Sequence, residues 1–279
     1  MVGDSMLPKI SVITPSFNQA AYLEKTIGSV IGQNYPHLEH IIVDGGSTDA
    51  SVSIIRGHES ELAWWVSETD RGQSHAINKG FSRSTGEILC WLNSDDFLAD
   101  GALSVVGRVF ARNPGIAAIV GHCIALDVRS GDQCFLQGEF KSRLRLLSPT
   151  APYRMHQPSI FWRREVYERV GLLDESMHLI MDFDYWCRIA DHYAFVNVDE
   201  VLSYCHRHEQ AKTADGHVGY HAARRDYIRE RRARLNPADR LRLAAMEIAD
   251  RSYDGIKRIE RSMRWRRRSR KRQDPSGQL

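Results

Sequence analysis

No CxxC pair occurs in this chain. The five cysteines, Cys90, Cys123, Cys134, Cys187 and Cys205, are odd in number and scattered. That excludes a disulfide framework and leaves a structural zinc site without its usual ligand spacing. The expectation is reduced, mostly buried thiols in a cytosolic protein. No apolar run approaches the ~18–20 residues that span a bilayer. The opening MVGDSMLPK lacks the apolar stretch of a secretory signal, so none is expected. Nucleotide-binding signatures of other enzyme classes are missing too. A dehydrogenase needs GxGxxG after its first strand, and a P-loop kinase needs GxxxxGKS or GxxxxGKT; neither is present. Where a sugar-nucleotide pyrophosphorylase carries a GGxGTR-like loop, this chain has TPSFN.

What is present is an ordinary globular balance. The chain has 279 residues, 42% hydrophobic and 26% charged, enough for one large domain or a domain with a helical appendage. The formal net charge is only +3, but it is unevenly placed. Residues 224–272 hold 19 Lys/Arg against 7 Asp/Glu, a net of +12, and the remainder carries −9. An acidic body with a basic tail points to two jobs.

Hydrophobic periodicity organises the first part as alternating strands and helices. KISVITPSF (9–17) reads as a strand, 20–33 as a helix with Leu23, Ile27, Val30 and Ile31 on one face, and LEHIIVDGGSTD as a strand into a glycine turn. Ser47-Thr48-Asp49 is placed to cap the next helix. Residues 62–67 read as a strand, 74–83 as a helix, GEILCWLNSDD as a strand running into a loop, and GALSVVGRVFARN as a helix. The alternation argues for an α/β fold with a mostly parallel central sheet flanked by helices. Further on, strands are expected at 116–127, 134–140, 157–162, 194–198 and 201–206, and helices at 163–170 and 182–191. Asn236-Pro237 looks like an N-cap and first helical position. Leu241, Ala245, Ile248, Ser252, Ile256, Ile259 and Met263 would then line one face of a long amphipathic helix. The expected organisation is a Rossmann-like domain over 1–215 and a basic helical extension over 216–279.

In open α/β sheets, ligands bind beyond the carboxyl ends of the strands. TPSFN, DGGSTD and NSDD each follow a strand, so three strand ends deliver polar groups to one rim. Asp95 and Asp96 are adjacent carboxylates, costly unless a cation lies beside them. Mg²⁺ or Mn²⁺ suits such oxygens, with phosphates filling its other positions; a turn with solvated acids is the alternative. Asp44 closes an apolar strand, where it either accepts from a base or ribose or caps the next helix. Gly45 and Gly46 let backbone approach a ligand closely. Asp70 and Arg71 offer an acid and a cation after a further strand, Arg71 for a diphosphate or simply for solvent.

These segments together resemble the inverting family-2 glycosyltransferases of the GT-A fold. The resemblance is carried by TPSFN (14–18), VDGGSTD (43–49), ETDRGQSHAINKG (68–80), LNSDD (92–96), MHQPSIFWRREVYERVGLLDE (155–175) and MDFDYWCRI (181–189). It covers about residues 8–215. What it implies is a nucleotide-sugar donor, a glycan or lipid-linked acceptor, and a divalent cation, Mn²⁺ or Mg²⁺. Thr14, Pro15, Ser16 and Asn18 would line the nucleotide pocket and Asp44 would bind the base. Gly46, Asp70, Arg71, Gln73, Asn78, Asn93, Ser94 and Asp95 would complete the donor site. Asp96 would be the better metal ligand, helped by Asp95 and by His208. Asp182 aligns with the family's catalytic base. Asp184 is a rival, but at i+2 on a helix the two point to different sides.

The sequence departs from the family pattern at Gly45, often Asp, and at Asn93, often Asp. A non-catalytic nucleotide-sugar-binding protein is therefore the alternative. His156 and Gln157 either contact sugar or acceptor or form a structural pair. Trp64, Trp65, Trp91, Trp162 and Trp186 are expected to pack in the core rather than stack on sugars. The basic run around Trp265 suits an anionic membrane surface better than nucleic acid, with a solvated tail the plain alternative. The protein is expected in the cytoplasm, or peripheral at the inner face of the membrane.

Overall fold

The structure, a computed structural model, describes residues 7–208 and 218–250. These form two compact units. The first takes the described residues up to 143 with 154–224; the second takes 144–153 with those from 225 onward.

The first unit is built on one mixed sheet. β1 (Ile10–Ser16), β2 (Leu38–Asp44), β3 (Trp64–Ser67) and β4 (Ile88–Trp91) are parallel, in the order β3-β2-β1-β4. α1 (Ala20–Ile31), α2 (Ser51–Gly57) and α3 (Gln73–Arg83) make the crossovers. β1 is buried along its whole length because it pairs on both sides and is covered by helices, hence its unbroken apolar character. The covering is close: a Cβ on Gly80 of α3 would stand 2.4 Å from Cγ2 of Ile13.

β5 (Asp96–Leu98) follows β4, then α4 (Ala102–Arg112), β6 (Ala118–Asp127) and β7 (Gln133–Leu136). After α5 (Arg143–Leu146) come β8 (Ile160–Arg163), α6 (Arg164–Val170), α7 (Met181–Ala190), β9 (Phe195–Arg207) and α8 (Val218–Ala233). The sheet continues β4-β8-β6-β9-β5, with β7 on β6. Beyond β4 most ladders are antiparallel, β6 with β9 being the parallel exception. The expected α/β architecture is thus present, with parallel pairing concentrated in its N-terminal half.

Three local differences matter. The strands expected at 194–198 and 201–206 are one strand, β9, whose ladder with β6 absorbs the interruption as a register shift near His122. The acidic turn does not stay a loop: Asp96 opens β5 and pairs with Cys205. The helix after Asp44 starts later than Ser47, and Asp49 serves it by accepting the Ser51 N–H (2.9 Å).

Trp91, Trp162 and Trp186 are fully buried with Phe81 and Tyr185. Trp91 and Trp186 stack at 5.1 Å and Trp162 packs edge-on to both. They are core, as expected. Cys90, Cys123 and Cys187 are buried and free, Cys134 is exposed and Cys205 is intermediate.

In the second unit, Asn236 caps a helix over 237–250: its Oδ1 accepts the Asp239 N–H at 2.9 Å. The expected inward stripe is not the buried one. Leu241 and Ile248 are 73% and 64% exposed, while Asp239, Leu243 and Glu247 are buried. Polar pairing selects the face: Glu247 accepts from Arg232 (2.7 Å) and Ser148 (3.3 Å), and Arg145 pairs with Asp250. Ser252, Ile256, Ile259, Met263 and the basic run lie outside the described residues.

Candidate active site at the strand ends

Parallel register puts Ser16, Asp44 and Ser67 side by side at the ends of β1, β2 and β3. Asp44 is fully buried and satisfied from within. Oδ2 accepts from Gly46 N (3.1 Å), Ser47 N (2.8 Å) and Ser67 Oγ (2.7 Å), and Oδ1 accepts from Ser47 Oγ (2.5 Å). It therefore acts first as the organiser of the glycine turn. Asn18, with φ 53°, links the two neighbouring loops: its N–H donates to Ser47 Oγ and its Oδ1 accepts the Thr48 N–H, both at 2.8 Å. Thr14 is buried against His40, Oγ1 to Nε2 3.0 Å. Burial pushes the His40 imidazole down to about 3, so it stays neutral. Ser16 Oγ is buried at the rim without a hydrogen-bond partner, a group that a ligand would satisfy.

Gly45 is one place where the sequence departs from the family pattern it resembles, and the structure gives a reason. A Cβ at this position would stand 2.7 Å from Asp70 Oδ2 and 3.3 Å from the Phe17 ring. Asp70 thus brings a carboxylate onto the space that a side chain at 45 would enter. Its other oxygen accepts the Gly72 N–H at 2.7 Å. Phe17, 59% exposed, is a rim aromatic that the sequence reading passed over, although it lies inside the TPSFN motif. An exposed aromatic beside a glycine turn was the available signal.

A second cluster forms the floor. Gln73 Nε2 donates to Asn93 Oδ1 (2.7 Å), Asn93 Nδ2 to Gln157 Oε1 (3.1 Å) and to Asp96 Oδ2 (3.3 Å), and Gln157 Nε2 to the Trp91 carbonyl (2.7 Å). Asn93 is the hub of this amide chain, a role that aspartate would fill differently. Ser94 is buried and its carbonyl accepts from Thr26 Oγ1 at 2.8 Å. His156 bonds the Gln137 carbonyl (3.2 Å), and burial holds its imidazole below the usual range.

The three expected metal ligands are not assembled together. Among the described residues no group of three His, Cys, Asp or Glu side chains could hold an ion. Asp95 Oδ2 meets His208 Nε2 at 3.2 Å, and Tyr22 stacks on the His208 ring at 4.5 Å. Asp96 is buried instead, with its carboxyl pushed well up by burial and then by Asp95. This singles out Asp95, rather than Asp96, as the carboxylate partner of His208. A carboxylate and an imidazole are donor types that suit a divalent cation, and these two residues would hold one. His208 Nδ1 is buried without a hydrogen-bond partner.

Asp182 lies in the first turn of α7, half-buried, its Oδ1 accepting the Phe183 N–H at 2.7 Å. Burial raises its carboxyl to about 6 against the Phe183 N–H and the charge of Arg224, which lower it. Its rival Asp184 is buried and tied to Arg188 Nε at 2.8 Å. Asn78 spends its amide on the Leu173 backbone in both directions, 3.0 and 2.9 Å. Arg71 is 69% exposed along its side chain and pairs with Glu175 at 2.8 Å. Asn78, on α3, and Arg71, on the loop before it, thus tie this part of the rim to the segment between α6 and α7.

The family model "Glycosyl transferase family 2" matches residues 11–171. The chain belongs to that family. The match covers the strand-end rim and the floor, and stops before α7. Among relatives, the chain is 32% identical over 122 residues to the GalNAc(5)-diNAcBac-PP-undecaprenol beta-1,3-glucosyltransferase of Campylobacter jejuni, covering 42% of this chain and 39% of that one. Among solved structures it resembles S. aureus TarS in complex with UDP-GlcNAc, with TM-score 0.60 and 16% identity over 87% of this chain and 72% of that one. It also resembles the mannosyltransferase PcManGT of Pyrobaculum calidifontis in complex with GDP-Man and Mn²⁺, with TM-score 0.55 and 22% identity over 76% and 60%. These two likenesses show the GT-A fold. The chain spans only 34% to 60% of the length of the first curated relatives it matches.

Proposed function

We propose that this glycosyltransferase-family chain moves a sugar from a UDP- or dTDP-sugar to a hydroxyl of a glycan or lipid-linked acceptor, with inversion, in cell-surface glycan synthesis. The observation that carries the reading is Asp182. Of the two acids in the first turn of α7, Asp184 is bound to Arg188, and Asp182 is half-buried with a carboxyl raised to about 6. Such a group is ionised at neutral pH and basic enough to take a proton from an attacking hydroxyl. A single base acting without a covalent intermediate would suit direct displacement with inversion, as the family resemblance implies.

The donor would lie over the ends of β1, β2 and β3. Phe17 offers a face for the base, Asp70 accepts from a base N–H or a ribose hydroxyl, and Ser16 Oγ gains the partner it lacks. Asp44 supports this pocket by fixing the turn. A divalent cation on Asp95 and His208 would stabilise charge on the leaving diphosphate. Support for a nucleotide-sugar donor and a lipid-linked acceptor comes from the ligands of the TarS and PcManGT complexes and from the name of the Campylobacter relative. For the basic C-terminal segment we propose an anionic membrane surface.

Calorimetric titration of a nucleotide-sugar panel with and without Mn²⁺ tests the donor reading. Metal-dependent binding of one UDP- or dTDP-sugar is expected. A folded protein that binds none of them would favour the alternative, a non-catalytic or partner-binding relative.

A further inference from the structure

The acidic turn that carries Asp95 is gripped from two sides. From the end of β9, the His206 Nδ1–H donates to the Asp95 carbonyl at 2.5 Å, and His208 Nε2 lies 3.2 Å from Asp95 Oδ2. From α1, Thr26 Oγ1 lies 2.8 Å from the Ser94 carbonyl and 2.7 Å from that of Asp96. Tyr22 stands one turn before Thr26 on the same face of α1. His206 and His208 are two residues apart in extended chain, so they too share a face. Tyr22 meets both. Its ring stacks on His208 at 4.5 Å with the planes 27° apart, and lies tilted against His206 at 5.4 Å.

The stack matters because of what His208 would do. Two neighbouring ligands of an octahedral Mg²⁺, each about 2.1 Å from the ion, stand about 3 Å apart. His208 Nε2 and Asp95 Oδ2 are close to that separation. An imidazole serves as a ligand only with its ring turned to aim the lone pair at the ion. In most metal sites the other ring nitrogen fixes that plane by donating a hydrogen bond. Nδ1 of His208 is buried and has no such partner among the described residues. The Tyr22 face supplies the constraint instead. Stacking at this separation is favourable, and a ring lying flat on the imidazole resists its rotation.

We propose that Tyr22 is a positioning residue of the cation site: it stacks on His208 and holds the imidazole with Nε2 toward the Asp95 carboxylate. The inference rests on the reading that Asp95 and His208 hold the cation. It needs the flat ring of Tyr22 and not its hydroxyl.

The test reads the ion rather than turnover. Full-length protein is titrated with Mn²⁺, first alone and then with UDP, and the free ion is counted from its electron paramagnetic resonance signal. Pulsed measurement of the bound ion reads the imidazole nitrogen coupling, which His208→Ala should remove. Tyr22→Phe should keep the wild-type affinity and the coupling. Tyr22→Gln should weaken Mn²⁺ binding by about tenfold. In the His208→Ala background Tyr22→Gln should cost nothing further, because the tyrosine acts through the imidazole. A purely packing role would lower the thermal midpoint and leave Mn²⁺ affinity unmoved. A folded Tyr22→Gln protein with wild-type affinity therefore overturns the inference, as does an equal loss in the His208→Ala background or a loss in Tyr22→Phe. If Tyr22→Gln does not fold, Tyr22→Leu is read in the same way. In each of these cases the wild type still binds Mn²⁺ and the cation assignment stands. A wild type that binds no Mn²⁺ in either titration, or a His208→Ala protein that binds it unchanged, removes that assignment and the inference with it.

Discussion

At the residue scale, the candidate chemistry turns on which carboxylates are free to act. Asp44, Asp96 and Asp184 are each spent: on a turn, on burial within β5, and on Arg188. Asp182 and Asp95 are left as the proposed base and the proposed metal ligand. Asp182→Asn should lower turnover by about 10²–10⁴-fold with donor affinity unchanged, measured as transfer rate beside calorimetric donor binding. The pH dependence follows from the direction of the shift. The base must be ionised, and burial places its midpoint at about 6, so kcat/KM should fall about tenfold per pH unit below that value and level off above it. A profile flat through pH 5 would remove Asp182 from the role. Asp95→Ala should abolish the Mn²⁺-dependent gain in donor affinity, a loss of about tenfold or more. If Asp96→Asn loses that gain and Asp95→Ala keeps it, the ligand is Asp96.

At the scale of elements, the question is how tightly the helices hold the rim in register. α3 presses on β1 at Gly80, and two effects oppose each other there. Alanine gains about 1 kcal/mol of helix propensity over glycine. Its Cβ, however, would stand 2.4 Å from Ile13, which is fully buried and flanked by paired strands. Overpacking of this kind costs about 1–3 kcal/mol, so Gly80→Ala should lower the thermal midpoint despite its better propensity. A raised midpoint in a melting experiment would mean that Ile13 yields. Such close approaches are invisible in one sequence, whereas the periodicity that produces α3 and β1 is plain in it. The same divide runs through the site. Strand ends and their polar motifs were legible, because period and turn residues are local. The choices that depend on partners distant in sequence were not. Asp95 rather than Asp96 faces His208, 113 residues away; Asn78 serves Leu173, 95 residues away; and the buried stripe of residues 237–250 is set by Arg232, Ser148 and Arg145 rather than by its apolar positions.

At the scale of the whole molecule, basic charge and exposed apolar surface collect in a part of the chain beyond the strand-end rim. Residues 224–272 carry a net of +12 and the rest −9, while Leu241 and Ile248 leave an apolar edge in solvent on the helix over 237–250. No helix among the described residues is long and apolar enough to cross a membrane. An element of this kind would bind at an interface, drawn by anionic headgroups at about 1 kcal/mol per basic residue near the surface and held by shallow apolar burial. Full-length protein should therefore sediment with vesicles containing phosphatidylglycerol and not with pure phosphatidylcholine. The binding should weaken sharply as salt shortens the Debye length to about 3 Å near 1 M. Leu241→Ser with Ile248→Ser should weaken it at every salt concentration, because the lost apolar contact is not screened. Equal binding to both vesicle types would show that charge does not drive the association, and no binding to either would assign the basic segment to solvent. If the expected pattern holds, the membrane would supply the acceptor as well as the surface, and a lipid-linked glycan would be the first acceptor to try.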